Sequence, residues 1–321
     1  MQAILAVTVP FFALVLAGYL AALCRLLPET AVPGLNAFVL FFALPCLLFR
    51  FGASTPVLQL LHPAMLGVYA SAALTVVALT VALTWRGGLA LKDAAFGALV
   101  AAFPNTGFMG VPLLVALLGP AAAGPVICTV LADLFITSSL CIALAEAEGA
   151  AGQGMHRALR RALGGALRNP LPWSIALGAL CSAAGMRPAG PVDTMVRMLA
   201  DAATPVALFT IGAVLWRAGQ HAHARTPPSR YLPVAAIKLV LHPALVGLAG
   251  MAARAMGASL AAFELTVLTL AAALPSASNV SMLAERYGAD NGRIARIILS
   301  STLLAFASFS MLAWLLGAGP R

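Results

Sequence analysis

The stretch "FPNTGFMGVPLL" at residues 103–114 lies inside an apolar run of helical length, yet it carries two prolines, two glycines and an Asn-Thr pair. Pro104 removes a backbone donor and clashes with the turn before it, while Gly107 and Gly110 lower the cost of non-helical torsions. In hydrocarbon each unpartnered N–H or C=O costs several kcal/mol, so a break there persists only if it is packed in protein or lines a wet cavity. Taken alone, Pro104 reads as a structural bend.

The rest of the chain places this break in lipid. Of 321 residues, 62% are hydrophobic and 9% charged, a composition outside the range of soluble domains. Apolar runs of about 20 residues, each long enough to cross roughly 30 Å of hydrocarbon, alternate with short turns. They predict an all-α integral membrane protein with ten spans: 4–24, 33–50, 62–84, 93–118, 122–145, 170–186, 191–216, 232–254, 261–284 and 293–317. The first basic residue is Arg25, so the first 24 residues are expected to be a span rather than a cleaved leader. Five cysteines, all within apolar runs, lack the spacing of a metal site or disulfide framework. The largest connector, 146–169, has leucines at 159, 163 and 167, the spacing of one short interfacial helix or else a solvated basic loop.

A net charge of +9 does not point to nucleic acid here, because its distribution is lopsided. Thirteen Lys and Arg lie in or beside the odd-numbered connectors and three on the even ones. The positive-inside rule then puts the odd connectors in the cytoplasm and both termini outside, as a multi-pass protein of the inner membrane.

Self-comparison adds an internal duplication. "ALPCLLFRFGA" (43–53) matches "ATPVALFTIGA" (203–213) at six of eleven positions, and "HPAMLGVYA" (62–70) resembles "HPALVGLAG" (242–250). The broken stretch 101–114 falls opposite "AALPSASNVSMLAE" (272–285), pairing Pro104 with Pro275. Five spans per half means that the second copy enters the membrane from the opposite side. The expectation is two inverted repeats, 1–145 and 170–321, joined by the cytoplasmic loop 146–169.

Corresponding breaks in spans four and nine are the best sequence pointer to a site. If the broken helices cross, each second half begins near the midplane and points free N–H groups, with roughly +0.5 of a charge, at the crossing. The expected substrate-binding set is Pro104, Asn105, Thr106 and Gly107 with Pro275, Ser276, Ser278 and Asn279. Two positive helix ends with neutral amide and hydroxyl donors suit a small carboxylate that must also be released.

At these residues the chain resembles the auxin efflux carrier family. The segments that carry the resemblance are "PNTGFMGVPLL" (104–114), "ALPSASNVSMLAERYG" (273–288), "GLNAFVLFFALPCLLF" (34–49) and "RNPLPWSIALG" (168–178). The likeness implies a scaffold and homodimer interface of spans one, two, six and seven. It also implies a transport domain of spans three to five and eight to ten that slides as an elevator. Implied substrates are organic acids, auxins in plants and small carboxylates such as malonate or malate in bacteria. A 24-residue central loop and "SASN" after the second proline depart from the plant proteins and point away from auxin as cargo.

Ionisable groups at bilayer depth are costly, so each needs a reason. Asp133, near mid-span with Thr129, Thr137 and Ser138 at helical spacing, is the leading candidate to carry H⁺ or Na⁺, against a buried structural hydrogen bond. Lys238, seven residues into span eight, either snorkels to the interface or neutralises the substrate or Asp133. Asp201 suits a domain or dimer contact, and Glu264 a helix start. His221 and His223 lack a third ligand, so no metal or cofactor is expected.

Three function classes follow. A secondary or potential-driven carrier for small organic anions accounts for the breaks, and an inside-negative potential favours anion exit by about 2.3 kcal/mol per charge per 100 mV. A channel or receptor on the same fold is the alternative. An intramembrane enzyme would need a nucleophile with its base or a metal motif, and the sequence presents none.

Overall fold

The computed structural model describes residues 1–55, 62–147, 154–186, 189–220 and 226–319. His221, His223 and the connector arginines Arg187 and Arg225 lie outside the described residues. Among the described residues the secondary structure is helical without strands, and an isolated bridge joins Pro104 to Ser276. Among the described residues seven helices are long and apolar enough to cross a bilayer: Gln2–Leu23, Ala31–Ser54, Pro63–Arg86, Pro120–Ala147, Pro191–Arg217, Leu232–Ala255 and Asn291–Leu315. The chain is therefore a multi-pass membrane protein. The runs read as spans four, six and nine contain shorter helices: Leu91–Ala102 and Thr106–Leu118, Pro170–Ala183, then Ala262–Ala272 and Asn279–Tyr287.

Helix starts follow local chemistry. Pro63 and Pro170 each occupy a first turn, where the missing N–H costs nothing. Asn169 caps its helix by accepting from Leu171 N at 3.0 Å, and Asp290 caps span ten by accepting from Arg293 N at 2.9 Å. The Glu264 carboxylate accepts from Ala261 N at 2.8 Å, the helix-start contact expected of it.

Two blocks of helices result. Span one runs along span seven, span six along span two, and span seven also meets span two. Glycines make these contacts backbone to backbone. A Cβ on Gly18 would strike the Phe209 carbonyl, and one on Gly212 the Val15 carbonyl. In the other pair a Cβ on Gly178 would strike the Phe49 carbonyl, and one on Gly52 would lie 2.6 Å from the Ile175 carbonyl. Close approach through small residues is how helices associate where lipid removes the hydrophobic drive. Gly18 to Gly178 and Gly52 to Gly212 are both steps of 160 residues, the offset that relates 43–53 to 203–213.

The remaining helices form the second block. Span three packs on the first half of span four and on span eight, the first half of span four on span five, and span eight on the first half of span nine. Arg293, read from sequence as a cytoplasmic charge, is buried here at 1% exposure. It donates from Nε to the Arg230 carbonyl at 2.9 Å and from Nη1 to the Asp93 carbonyl at 3.1 Å, tying the starts of spans four, eight and ten together. Gly97 makes the room: a Cβ there would sit 2.8 Å from Nη1.

One sequence reading needs correction. His62 stands just before the span-three helix, whereas His242 lies ten residues into the Leu232–Ala255 helix and is buried. The matching nonapeptides thus occupy different depths, and their likeness is not a repeat pairing. Asp201 is exposed and pairs with Arg50 at 3.2 Å, a span-seven to span-two contact.

The central connector does contain a helix, Gly154–Leu167, with Leu159, Leu163 and Leu167 exposed along one stripe.

Candidate functional site

The two broken segments meet. Asn105 N donates to the Pro275 carbonyl at 2.8 Å and Ala277 N donates to the Phe103 carbonyl at 3.0 Å, a two-bond antiparallel clasp around the Pro104–Ser276 bridge. Each break thereby satisfies backbone groups that the other frees, which removes much of the cost of leaving the helix in lipid. Ser276 tightens the clasp: its hydroxyl donates to the Val100 carbonyl at 2.8 Å and its N–H donates to Ser301 Oγ at 3.2 Å. Gly110 lets Leu274 pack close to the crossing: a Cβ there would lie 2.6 Å from Leu274 Cδ1 and push that side chain aside.

Beyond the clasp the second halves begin. Span four resumes as a π-helical turn, Thr106–Gly110, before Val111–Leu118, and span nine as Asn279–Tyr287. Thr106 N already donates to the Pro104 carbonyl at 2.8 Å, and Val280 N and Ser281 N to the Ala277 and Ser278 carbonyls at 3.3 Å, so what the two starts offer at the crossing is their other opening N–H groups.

The side chains there are unusual for a buried site. Asn105 and Thr106 are buried, yet Asn105 Oδ1, Thr106 Oγ1 and Asn279 Oδ1 have no hydrogen-bond partner. Most buried polar atoms in proteins are paired, so three unpartnered oxygens on the residues that flank the clasp stand out. Each amide turned by half a rotation presents Nδ2, and the Thr106 hydroxyl donates as readily as it accepts. A Cβ on Gly107 would meet nothing within 4 Å, so open space borders the turn. Of the eight residues expected at the crossing, Pro104, Asn105, Pro275 and Ser276 form the clasp; Thr106, Gly107, Ser278 and Asn279 stand at the two helix starts.

A second polar cluster adjoins the first. Asp133, on a π-helical turn of span five (Asp133–Thr137), accepts from Tyr69 Oη at 2.8 Å and from Thr137 Oγ1 at 3.2 Å. Lys238, on a π-helical turn of span eight (Ile237–Leu241), contacts His242 Nδ1 at 3.2 Å and donates to the Ala272 carbonyl at 2.6 Å. All four side chains, Tyr69, Asp133, Lys238 and His242, are at 0% exposure. Lys238 therefore does not snorkel. Asp133 and Lys238 are near enough for their charges to interact without forming a direct ion pair among the described residues. Ala272 ends the first half-helix of span nine, three residues before Pro275, so Lys238 joins this cluster to the crossing. π-helical turns recur at functional sites because the extra residue re-aims side chains. Tyr69 escaped the sequence reading for want of any local signal.

A cavity of about 350 Å³ opens between the two blocks. Asn36 and Arg217 come from spans two and seven, and Ser281, Glu285 and Arg286 from the second half of span nine. Its lining on that half-helix ends at Ser281, two residues beyond Asn279. Asn36 Nδ2 to Met282 Sδ, at 3.1 Å, is a contact between the blocks along it.

With this geometry in place, comparison with known proteins gives the class. Residues 3–315 match the family model of the membrane transport proteins, and the chain belongs to this family, that of the auxin efflux carriers. It is 31% identical to a protein of Rhizobium meliloti (strain 1021) named "Putative malonate transporter", over 99% of this chain and 98% of that one. It is 25% identical to "Uncharacterized transporter YfdV" of Escherichia coli (strain K12), over 87% of this chain and 86% of that one. An "Uncharacterized transporter" of Methanothermobacter thermautotrophicus is also 25% identical, over 93% of each.

Proposed function

We propose that this protein is a secondary or potential-driven carrier of small organic anions, and that the substrate carboxylate binds where the two broken helices cross. The observation that carries this reading is the set of buried, unpartnered oxygens of Asn105, Thr106 and Asn279 beside two helix starts. A carboxylate accepts from the helix-start N–H groups, the Thr106 hydroxyl and the asparagine amides, while the helix dipoles supply positive potential without a fixed cation at the contact. Release then requires no ion pair to be broken. The malonate named for the Rhizobium relative supports a dicarboxylate as first choice.

The chain crosses the inner membrane ten times in this reading, with both termini outside. Residues 1–145 and 170–321 are inverted five-helix repeats, joined by the cytoplasmic loop 146–169. The 160-residue spacing of the glycine contacts supports this, as do the first half-helices of spans four and nine, whose starts at Leu91 and Ala262 are 171 residues apart. Spans one, two, six and seven act as scaffold and homodimer interface; spans three to five and eight to ten slide past them as an elevator, carrying the crossing from one side to the other. Asp133 and Lys238 couple the movement to H⁺ or Na⁺, since Lys238 holds the end of the half-helix that leads into the clasp.

Uptake of labelled malonate, malate and indole acetate into proteoliposomes tests the reading. Saturable flux that shows trans-stimulation and falls in Asn105→Ala supports it. Unchanged flux in that variant removes the site, and single-channel conductance would instead favour a channel.

A further inference from the structure

An apolar groove of about 620 Å³ runs between spans five and six, where the two blocks face each other. Leu131 and Phe135 of span five form one wall, and Trp173, Ala176 and Leu180 of span six the other. Leu167, the last residue of the connector helix, closes one end. No polar side chain lines the groove, so water has nothing to hold it there, and in a bilayer hydrocarbon fills it.

What stands over that end is basic. In the helix Gly154–Leu167, Leu159, Leu163 and Leu167 are exposed on one stripe; Arg160 is exposed at the edge of that stripe, three and seven residues before Leu163 and Leu167, and Arg168, just beyond the helix, is exposed as well. Trp173 Nε1 donates to the Leu167 carbonyl at 2.6 Å and fixes this helix to span six at the level where tryptophan marks membrane interfaces. An exposed leucine stripe edged by arginines suits a helix at the headgroup level, and this one packs along the second half of span five.

We infer that this is a binding site for one anionic phospholipid, its acyl chain in the groove between spans five and six and its phosphate on Arg160 and Arg168. The groove alone takes any lipid; the arginines select the charged headgroup. Occupancy bears on transport because Leu131 and Phe135 bracket Asp133, whose π-helical turn contributes to the groove wall. A bound chain is thus a wedge against the span that carries the coupling candidate, at the seam where one block moves past the other.

Thermal unfolding of the full purified chain with phosphatidylglycerol or phosphatidylcholine at equal mole fraction, together with mass-spectrometric counting of retained lipid, tests the site without any transport substrate. Phosphatidylglycerol is expected to raise the midpoint and phosphatidylcholine is not. Arg160→Gln with Arg168→Gln should weaken phosphatidylglycerol retention on the order of thirtyfold. Ala176→Trp, which fills the groove from an exposed position, should lose it with both arginines intact. Equal protection by the two lipids, or full retention in Ala176→Trp, overturns the inference. So does a change in particle mass in Ala176→Trp without lipid loss, which would make the groove a contact between copies of this chain.

Discussion

The two blocks of this protein solve the problem of folding in lipid in opposite ways. Spans one and seven, and spans six and two, touch backbone to backbone through Gly18, Gly212, Gly178 and Gly52, and the buried polar residues there are neutral, such as Thr8, Asn36 and Thr210. The other block buries Asp133, Lys238, His242 and Arg293, breaks two helices and carries three of the four π-helical turns among the described residues; the fourth, Val39–Ala43, is in span two. One block gains stability from continuous close packing. The other concentrates polar groups, whose cost falls where they satisfy each other.

The largest expected effect tests whether charge balance holds the second block together. Lys238→Met frees the buried Ala272 carbonyl and removes the charge that Asp133 feels, and should cost about 3 kcal/mol, seen as a lower unfolding midpoint in detergent. Adding Asp133→Asn should recover a substantial part. If the double variant is no more stable than Lys238→Met, the two charges do not support each other and the contrast loses its main term.

Asn105→Ala should separate function from stability within the same block. Loss of a hydrogen bond to a charged ligand costs about 1.5–3 kcal/mol, or roughly ten- to a hundredfold in substrate affinity. The unfolding midpoint should hold or rise, because Oδ1 has no partner in the free protein. A marked drop in stability with unchanged affinity would make the residue structural.

In the close-packed block, Gly212→Ala forces span seven away from Val15 and should destabilise by about 1–3 kcal/mol. Gly107→Ala, with open space at the crossing, should leave stability within about 0.5 kcal/mol. Comparable midpoints for the two would dissolve the distinction between packed seam and open site. A small effect is also expected at the exposed Arg50–Asp201 pair, where Asp201→Asn should change stability by less than about 1 kcal/mol. A larger loss in detergent would show that ion pairing as well as packing holds the frame.

What the amino-acid sequence determined was everything set by local composition and spacing. Apolar run length marked the membrane-crossing helices, Pro104 and Pro275 with their flanking glycine, serine and asparagine marked the breaks, and the leucine spacing at 159, 163 and 167 marked the connector helix. Those signals are legible because a single helix in lipid must satisfy its own backbone, which leaves a trace in every turn. The tertiary structure alone decided which distant groups meet. Lys238 reaches Ala272 and His242 instead of the interface, Tyr69 supplies the hydroxyl to Asp133, Arg293 is drawn inside by the gap at Gly97, and His62 and His242 part company in depth. Such contacts depend on how whole helices are rotated and offset against one another, and a residue's neighbours along the chain carry no record of that choice.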